Sequence, residues 1–237
     1  GGPWRTMTRR EPRPTRPPCR RHAALAAGCA ALLAALGACC GGCASLRWLT
    51  YVLNPTPSTE TREAEFGGLA GKKVAVVVYA DEVIRYDYPA APLDVSYALA
   101  AEMRKRLSGT SLVAPERVAK YQQENVYWDS MDKGKLGATL GADYVLYVTL
   151  VEFSTIEPGS LHLYRGRIAC EIDVYEAGRT ERDGHVFDGG DLRVVWPEEA
   201  PVGRPGLDDR QIIYATSRLL AEKLVRKFYS HEVPKEP

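Results

Sequence analysis

"KVAVVVY", residues 73 to 79, and "ADYVLYVTLVEF", residues 142 to 153, decide the fold. The first run is apolar at nearly every position and rich in valine. A strand wetted on one face alternates apolar and polar residues, so an unbroken run needs cover on both faces. The second run has the same character. Two such strands imply a central sheet with helices above and below it, an α/β arrangement.

The stretches between and beyond them supply the helices and the remaining strands. After a loop carrying Asp81, Tyr86, Asp87 and Tyr88, "PLDVSYALAAEMRKRLSG" (92 to 109) has helical spacing. Asp94 is expected to cap it, Leu99, Met103 and Leu107 recur at i, i+4 and i+8, and Gly109 ends it. "SLVA" (111 to 114) is a short strand, and Pro115 suits the first turn of a helix over "PERVAKYQQ". Ser130 is expected to cap "MDKGKLGATLG", which Gly141 stops. "SLHLYRGRIACEIDVYE" (160 to 176) alternates through Ile168, Cys170, Ile172 and Val174, so one of its faces is wet. A turn at "EAGRTERDG" precedes "HVFDGGDLRVVWPEE", a last strand in which Gly189 and Gly190 mark a bulge. Asp208 caps a final helix whose stripe runs through Ile212, Ala215, Leu219, Leu220, Lys223, Leu224 and Phe228. The predicted order is β-α-β-α-α-β-β-β-α. It describes a three-layer-like sandwich with a mixed sheet of about five strands, one half antiparallel, flanked by three to four helices. Val76, Leu99, Met103, Val145, Tyr147, Ile172 and Leu220 are expected to be buried together.

The amino-terminal part reads differently. From Met7, expected to be the true start, six arginines oppose a single acid, Glu11. "AALAAGCAALLAALGA" (23 to 38) follows, uncharged and built of small or aliphatic residues. A basic region, a short apolar region and small residues before a cut site make a secretory signal. Leu36-Gly37-Ala38-Cys39 resembles the bacterial lipobox, in which a cysteine thiol accepts a diacylglycerol. Small residues before that cysteine let the peptidase reach the bond. Cys40 and Cys43 lack the same neighbours. The resemblance implies a chain cut before Cys39, anchored in a membrane through the lipid on Cys39, and facing the periplasm. Cys40 rather than aspartate after Cys39 points to the outer membrane. Diacyl anchoring is stable where one chain is marginal. An uncleaved apolar anchor is the competing reading, because residues 23 to 46 carry no charge and about 20 apolar residues span a bilayer. A disulfide between Cys40 and Cys43 stays open; a zinc ribbon needs a second such pair, and the one later cysteine is Cys170.

Four segments follow from this: 1 to 38 as leader, 39 to 71 as lipidated cysteine and tether, 72 to 231 as the α/β domain, and 232 to 237 as tail. The tether begins with Leu46, Trp48, Leu49, Tyr51, Val52 and Leu53, which lie either on the membrane or on the domain. It then turns polar around Pro55 and Pro57. The whole chain has net charge +1, but the leader holds seven arginines and one glutamate. The remaining 24 basic and 29 acidic residues give −5. A mildly acidic body gives no electrostatic case for nucleic acid.

"LGATLGADYVLYVTL" and the run "DVYEAG", with Asp173, Val174, Tyr175 and Gly178, carry a further resemblance. Together with the first strand and "EMRKRLSG" they are similar to the curli-secretion (CsgG-like) lipoproteins, the penicillin-binding-protein activators and the amino-terminal domain of TolB. In that group a Gly-Ala-Asp-Tyr segment, here Gly141 to Tyr144, leads into the central strand. The resemblance spans roughly residues 70 to 228. It implies an envelope lipoprotein with a binding domain. The membrane-inserting hairpins of the secretion channel are not identified in this sequence, so pore formation is not among the expectations.

Catalytic signatures are absent: no G-x-S-x-G, H-E-x-x-H, Walker loop or G-x-G-x-x-G occurs. Gly134, Gly137 and Gly141 sit at a helix and its cap, where they make no phosphate loop. His162 and His231 have no partner by spacing. His185 lies near Asp183, Asp188 and Asp191, a pattern more typical of a solvated acidic turn than of a metal site, and no metal, cofactor or catalytic residue is assigned. The candidate site is the loop with Asp81, Tyr86, Asp87 and Tyr88, whose aromatic rings suit partner binding; the alternative is that these rings pack over the first helix. The expected function is a non-enzymatic, membrane-anchored lipoprotein that binds an envelope protein and assists assembly or secretion, with self-association left open. An auxiliary role in a transport system and a metal-dependent envelope hydrolase are the rival readings.

Overall fold

The computed structural model describes residues 59–200 and 202–234. Leu36, Gly37, Ala38, Cys39, the pair Cys40 and Cys43, and the apolar start of the tether lie outside them. The elements are β1 (Thr59–Arg62), β2 (Lys73–Ala80), α1 (Glu82–Asp87), α2 (Ala91–Arg106), β3 (Ser111–Leu112), α3 (Pro115–Glu124), α4 (Lys133–Leu140), β4 (Tyr144–Ile156), β5 (Tyr164–Glu176), α5 (Glu181–Gly184), β6 (His185–Trp196), α6 (Asp209–Val225) and β7 (His231–Pro234). A five-stranded sheet runs β3-β2-β4-β5-β6. Its β3, β2 and β4 are parallel, while β5 and β6 are antiparallel to their neighbours. The fold is α/β with a mixed sheet, as the two apolar runs require.

Two cores flank that sheet. Leu99 and Met103 of α2 and Leu220 and Leu224 of α6 cover one face, against Val76, Val78, Leu146, Val148 and Ile172. Val118 of α3 and Leu136 and Leu140 of α4 cover the other, against Ala75, Val77, Val145 and Tyr147. The expected single cluster is therefore divided. Successive strand residues point to opposite faces, so odd-numbered Val145 and Tyr147 cannot meet even-numbered Val76 and Ile172. In β4 the phase then changes. Leu150 pairs with Cys170 and Glu152 with Ala169, which leaves Val151 bulged, and Phe153 returns to the face of Leu150. A second bulge leaves Gly189 out between Asp188 and Gly190, as the glycine pair foretold.

Helix starts depart from expectation in instructive ways. Asp94 does not cap α2. The helix begins earlier, at Ala91, with Pro92 in its first turn where the missing N–H is no loss, and Asp94 lies inside that turn. Ser130 does not cap α4; Asp132 does, its Oδ1 accepting from Lys135 N at 3.0 Å. Asp132 also accepts the Glu181 N–H. Those backbone donors, Lys135 first, hold the carboxyl of Asp132 below its usual range. The loop after β2 contains a helix, α1, since Asp81 caps it by accepting from Ile84 N at 2.8 Å. Asp208 caps α6 as read, accepting from Gln211 N at 2.8 Å. Ile212, Leu220, Leu224 and Phe228 are buried as expected, but the buried stripe is shifted to one side: Thr216, Ser217, Ala221 and Val225 join it, while Ala215, Leu219 and Lys223 are half-buried. Small residues escaped a reading that followed large ones. The strand expected from residue 160 begins at Tyr164, so His162 precedes it.

Segments read as tether and tail meet each other. β1 and β7 pair antiparallel, Thr59 opposite Pro234 and Arg62 opposite His231. Phe66 then stacks on Phe187 at 5.3 Å, and Leu69 is wholly buried.

The spaced glycines of α4 have a packing cause. A Cβ on Gly134 would lie 1.9 Å from the Arg179 carbonyl oxygen, and one on Gly137 would lie 2.6 Å from Val145. The β5–α5 turn sits directly on the helix, with Gly178 N donating to Gly134 O at 2.9 Å. Gly→Ala inside a helix ordinarily stabilises by about 1 kcal/mol. Here Gly134→Ala is expected to destabilise instead, by about 1–3 kcal/mol, which urea denaturation would measure.

Burial also raises the titration of three neutral acids. The Cys170 thiol and the Tyr175 phenol are each pushed up to about 12, and Tyr147 is pushed up as well, chiefly by desolvation. All three are neutral when protonated, so the fold favours the protonated forms. Their contribution is complete below the unfolded values, 9.0 for the thiol and 10.0 for the phenols, and is lost as pH rises through them toward the folded values. Cys170 is expected to remove up to about 1.4 kcal/mol of stability per pH unit in that window, and the two phenols, which keep more contact with solvent, less. Denaturation midpoints from pH 8 to pH 11 would check the decline.

Candidate functional site

A groove of about 290 Å³ opens at the carboxyl end of β2, between α1, α2 and α3. It exists because β3 is short. Proline at 115 turns the chain into α3 soon after Leu112, so β3 pairs only with Lys73 and Val74. The farther edge of β2 is left without a strand neighbour. Gln122 of α3 partly replaces that strand, its Nε2 donating to the Val78 carbonyl at 3.2 Å. Val78 and Ala80 form the floor, and Pro89, Pro92, Gln122 and Trp128 are among the walls. Trp128 is itself fixed by Tyr79 and Tyr147, with ring centres 6.0 and 6.5 Å away.

The four residues singled out from the sequence do not line this groove, although their neighbours Ala80, Arg85 and Pro89 do, and they do unlike things. Asp81 is occupied as the cap of α1. Tyr86 is 88% exposed and Val83 is 68% exposed, whereas Ile84 between them is buried. Asp87 ends the helix and is exposed. Tyr88 is tied down. Its ring centre lies 5.0 Å from that of Phe153, and its hydroxyl accepts from Thr155 N at 3.3 Å. Thr155 Oγ1 donates to Asp209 Oδ1 at 2.5 Å, so the Tyr88 hydroxyl is the donor in its 3.3 Å bond to Thr155 Oγ1. Each hydroxyl donates once along this chain, which fixes the direction of every proton. The two readings of this loop thus divide by residue: Tyr88 packs, and Tyr86 projects.

Sequence reasoning missed Val83, Gln122 and Trp128. Val83 stands three residues before Tyr86, one helical turn, and that spacing was the available signal. Gln122 and Trp128 come from a different element, and no local pattern connects them to the loop.

The acidic turn has other employment. His185 Nε2 lies 2.6 Å from Asp173 Oδ1 across the β5–β6 ladder, with its ring 5.0 Å from Tyr175. Asp183 accepts from the Thr180 hydroxyl at 2.8 Å, and Asp188 accepts from Gly190 N at 2.8 Å, which closes the Gly189 bulge. Among the described residues no three histidine, cysteine, aspartate or glutamate side chains gather as metal ligands. None of the groove-lining residues at the end of β2 is a carboxylate, histidine or thiol. Its polar side chains are Ser96, Gln122, Gln123 and Arg85, beside Trp128 and two prolines. Among the described residues, no helix is long and apolar enough to cross a membrane.

No family model matches the chain, and no curated protein does. Several solved structures resemble its fold. The chain is similar to the PelC dodecamer from Paraburkholderia phytofirmans at 12% identity, with 73% of this chain and 99% of that one covered and a TM-score of 0.42. It is similar to lipoprotein GNA1162 from Neisseria meningitidis at 14% identity, over 64% and 96% of the two chains, with a TM-score of 0.40. The hypothetical protein CT253 from Chlamydia trachomatis matches at 11% identity over 66% and 92%, with a TM-score of 0.37.

Proposed function

We propose that the protein is a membrane-anchored envelope lipoprotein whose α/β domain works by binding a protein partner, without catalysis, in assembly or secretion. The observation that carries this reading is the exposed pair Val83 and Tyr86 on α1, the helix whose Arg85 lines the groove at the end of β2. Aromatic side chains supply large contact area at small entropic cost. The helix presenting them is held at both ends, by the Asp81 cap and by Tyr88. A preorganised helix loses little freedom on binding, which favours recognition. The anchor follows from the lipobox at Leu36 to Cys39, and the outer membrane from Cys40 behind it.

Capture of partners from detergent-solubilised envelopes tests the binding surface. Tyr86→Ala combined with Val83→Ala is expected to weaken capture by about 30-fold, the loss of an anchor worth about 2 kcal/mol, with an unchanged melting temperature. Unchanged capture would move the interface elsewhere. Tyr88→Ala is expected to lower the melting temperature, because its ring is part of the packing. Mass spectrometry of the mature amino terminus is expected to find lipid on Cys39; an unmodified leader still attached would replace the lipid anchor by a spanning one.

A further inference from the structure

α2 and α6 lie side by side over one face of the sheet with their carboxyl ends together. At that end Arg106 stands 5.7 Å from the ring centre of Tyr229, just past α6. Along their solvent side runs a second groove of about 610 Å³, separate from the one at the end of β2. Sites for small ligands fall at about 300–1,000 Å³. Ala98 and Ala101 of α2 and Ile213 and Ala221 of α6 make it mainly apolar, and small side chains make it deep.

Ser217 also lines this groove, is 2% exposed, and has an Oγ without a hydrogen-bond partner. A buried helical hydroxyl ordinarily turns back to the carbonyl four residues earlier. Thr216 next to it does so, donating to Ile212 O at 2.7 Å. Ser217 does not, and an unmet buried hydroxyl is costly unless something supplies an acceptor.

Charge says what that acceptor is attached to. Of the three acids lining the groove, Glu102 is engaged by Lys105 and Arg106, and Glu222 by Arg226 at 2.8 Å. Asp94 remains, and burial raises its pKa, which disfavours its charge. Arg210 and Arg218 enter no ion pair among the described residues, and Arg218 lies 5.9 Å from the ring centre of Tyr214 between them. Cations without counterions on an apolar slot match a ligand with an acid group on a hydrocarbon body.

We propose that this groove binds a single-chain anionic amphiphile, an alkyl carboxylate. Arg210 and Arg218 hold the acid group, Ser217 donates to one of its oxygens, and the chain lies over Ala98, Ala101 and Ala221. A concave slot between two helices takes one chain; a bilayer surface would need a protruding apolar face.

The full chain would be exposed to a photoactivatable dodecanoate, and cross-linked residues mapped by peptide mass spectrometry. Labelling is expected on α2 and α6. Arg210→Gln with Arg218→Gln is expected to reduce it about tenfold, the loss of roughly one charge-assisted contact. Ala101→Leu, an exposed position, is expected to block it by filling the slot. Dodecanol of equal length should compete poorly, and inorganic phosphate not at all. Equal labelling in Ala101→Leu, or equal competition by dodecanol, would overturn the proposal. So would an arginine dependence seen only in co-sedimentation with phosphatidylglycerol vesicles, which would assign the surface to a bilayer. Should Ala101→Leu fail to fold, the arginine pair, which lies on the exposed rim, decides the matter alone.

Discussion

Everything in this domain is hung on the parallel pairing of β2 with β4, and one aspartate fixes where that pairing starts. Asp143 donates its N–H to Lys73 O at 2.7 Å, while its side chain accepts the Lys73 N–H at 2.8 Å. From that clamp Val74 aligns with Tyr144 and the ladder proceeds to Ala80 opposite Leu150. A slip of one residue would exchange the two faces of β4 and turn Val145 and Tyr147 toward α2 and α6. Gly141 sits just before the clamp with φ 70°, the left-handed conformation that ends α4 and aims the chain into the strand. The Gly-Ala-Asp-Tyr segment thus has a mechanical reason for each of its first and third residues.

The first groove is a consequence of what the sheet leaves uncovered; the second lies on the solvent side of the two helices that cover it. A two-residue β3 strands the far edge of β2, and α1 and α3 close over it incompletely. On the other face α2 and α6 must pass close to the sheet, which small residues allow. A Cβ at Gly166 of β5 would lie 1.8 Å from Thr216 Oγ1, so α6 rests on bare backbone there. The Tyr88–Thr155–Asp209 chain ties the rim of the first groove to β4 and to the start of α6. The two surfaces therefore share a rigid support while facing different directions.

Strand identities were legible because they rest on composition alone: Val-rich runs need two-sided cover, and the alternation of Ile168, Cys170, Ile172 and Val174 needs one wet face. Gly189 and Gly190 announced their bulge, yet Val151 did not, since a β-branched apolar residue gives no sign that the ladder skips it. Capping was legible where one acid stood alone before a helix, as at Asp208. It misled where a better placed acid stood nearby, as Asp132 beside Ser130. The candidate loop was found through its composition, but the separation of Tyr86 from Tyr88 depends on Phe153 and Thr155, nearly seventy residues away. The β1–β7 pair was invisible for a related reason: strands of four residues, TETR and HEVP, are too short to give a periodic signal, and each has its partner at the opposite end of the domain.

That terminal pair has a kinetic meaning. It joins the most distant parts of the described chain, so its loop-closure entropy is the largest the fold must meet, and its four largely exposed rungs return little burial to offset it. The β2-β4-β5-β6 sheet closes through shorter connections and has no need to wait for it. The seam between Thr59 and Pro234 is therefore expected to close last, after the body is in place. Joining those two ends and opening the chain in the Glu157–Leu163 turn would make the slowest contact a local hairpin, converting the last event of folding into one of the first.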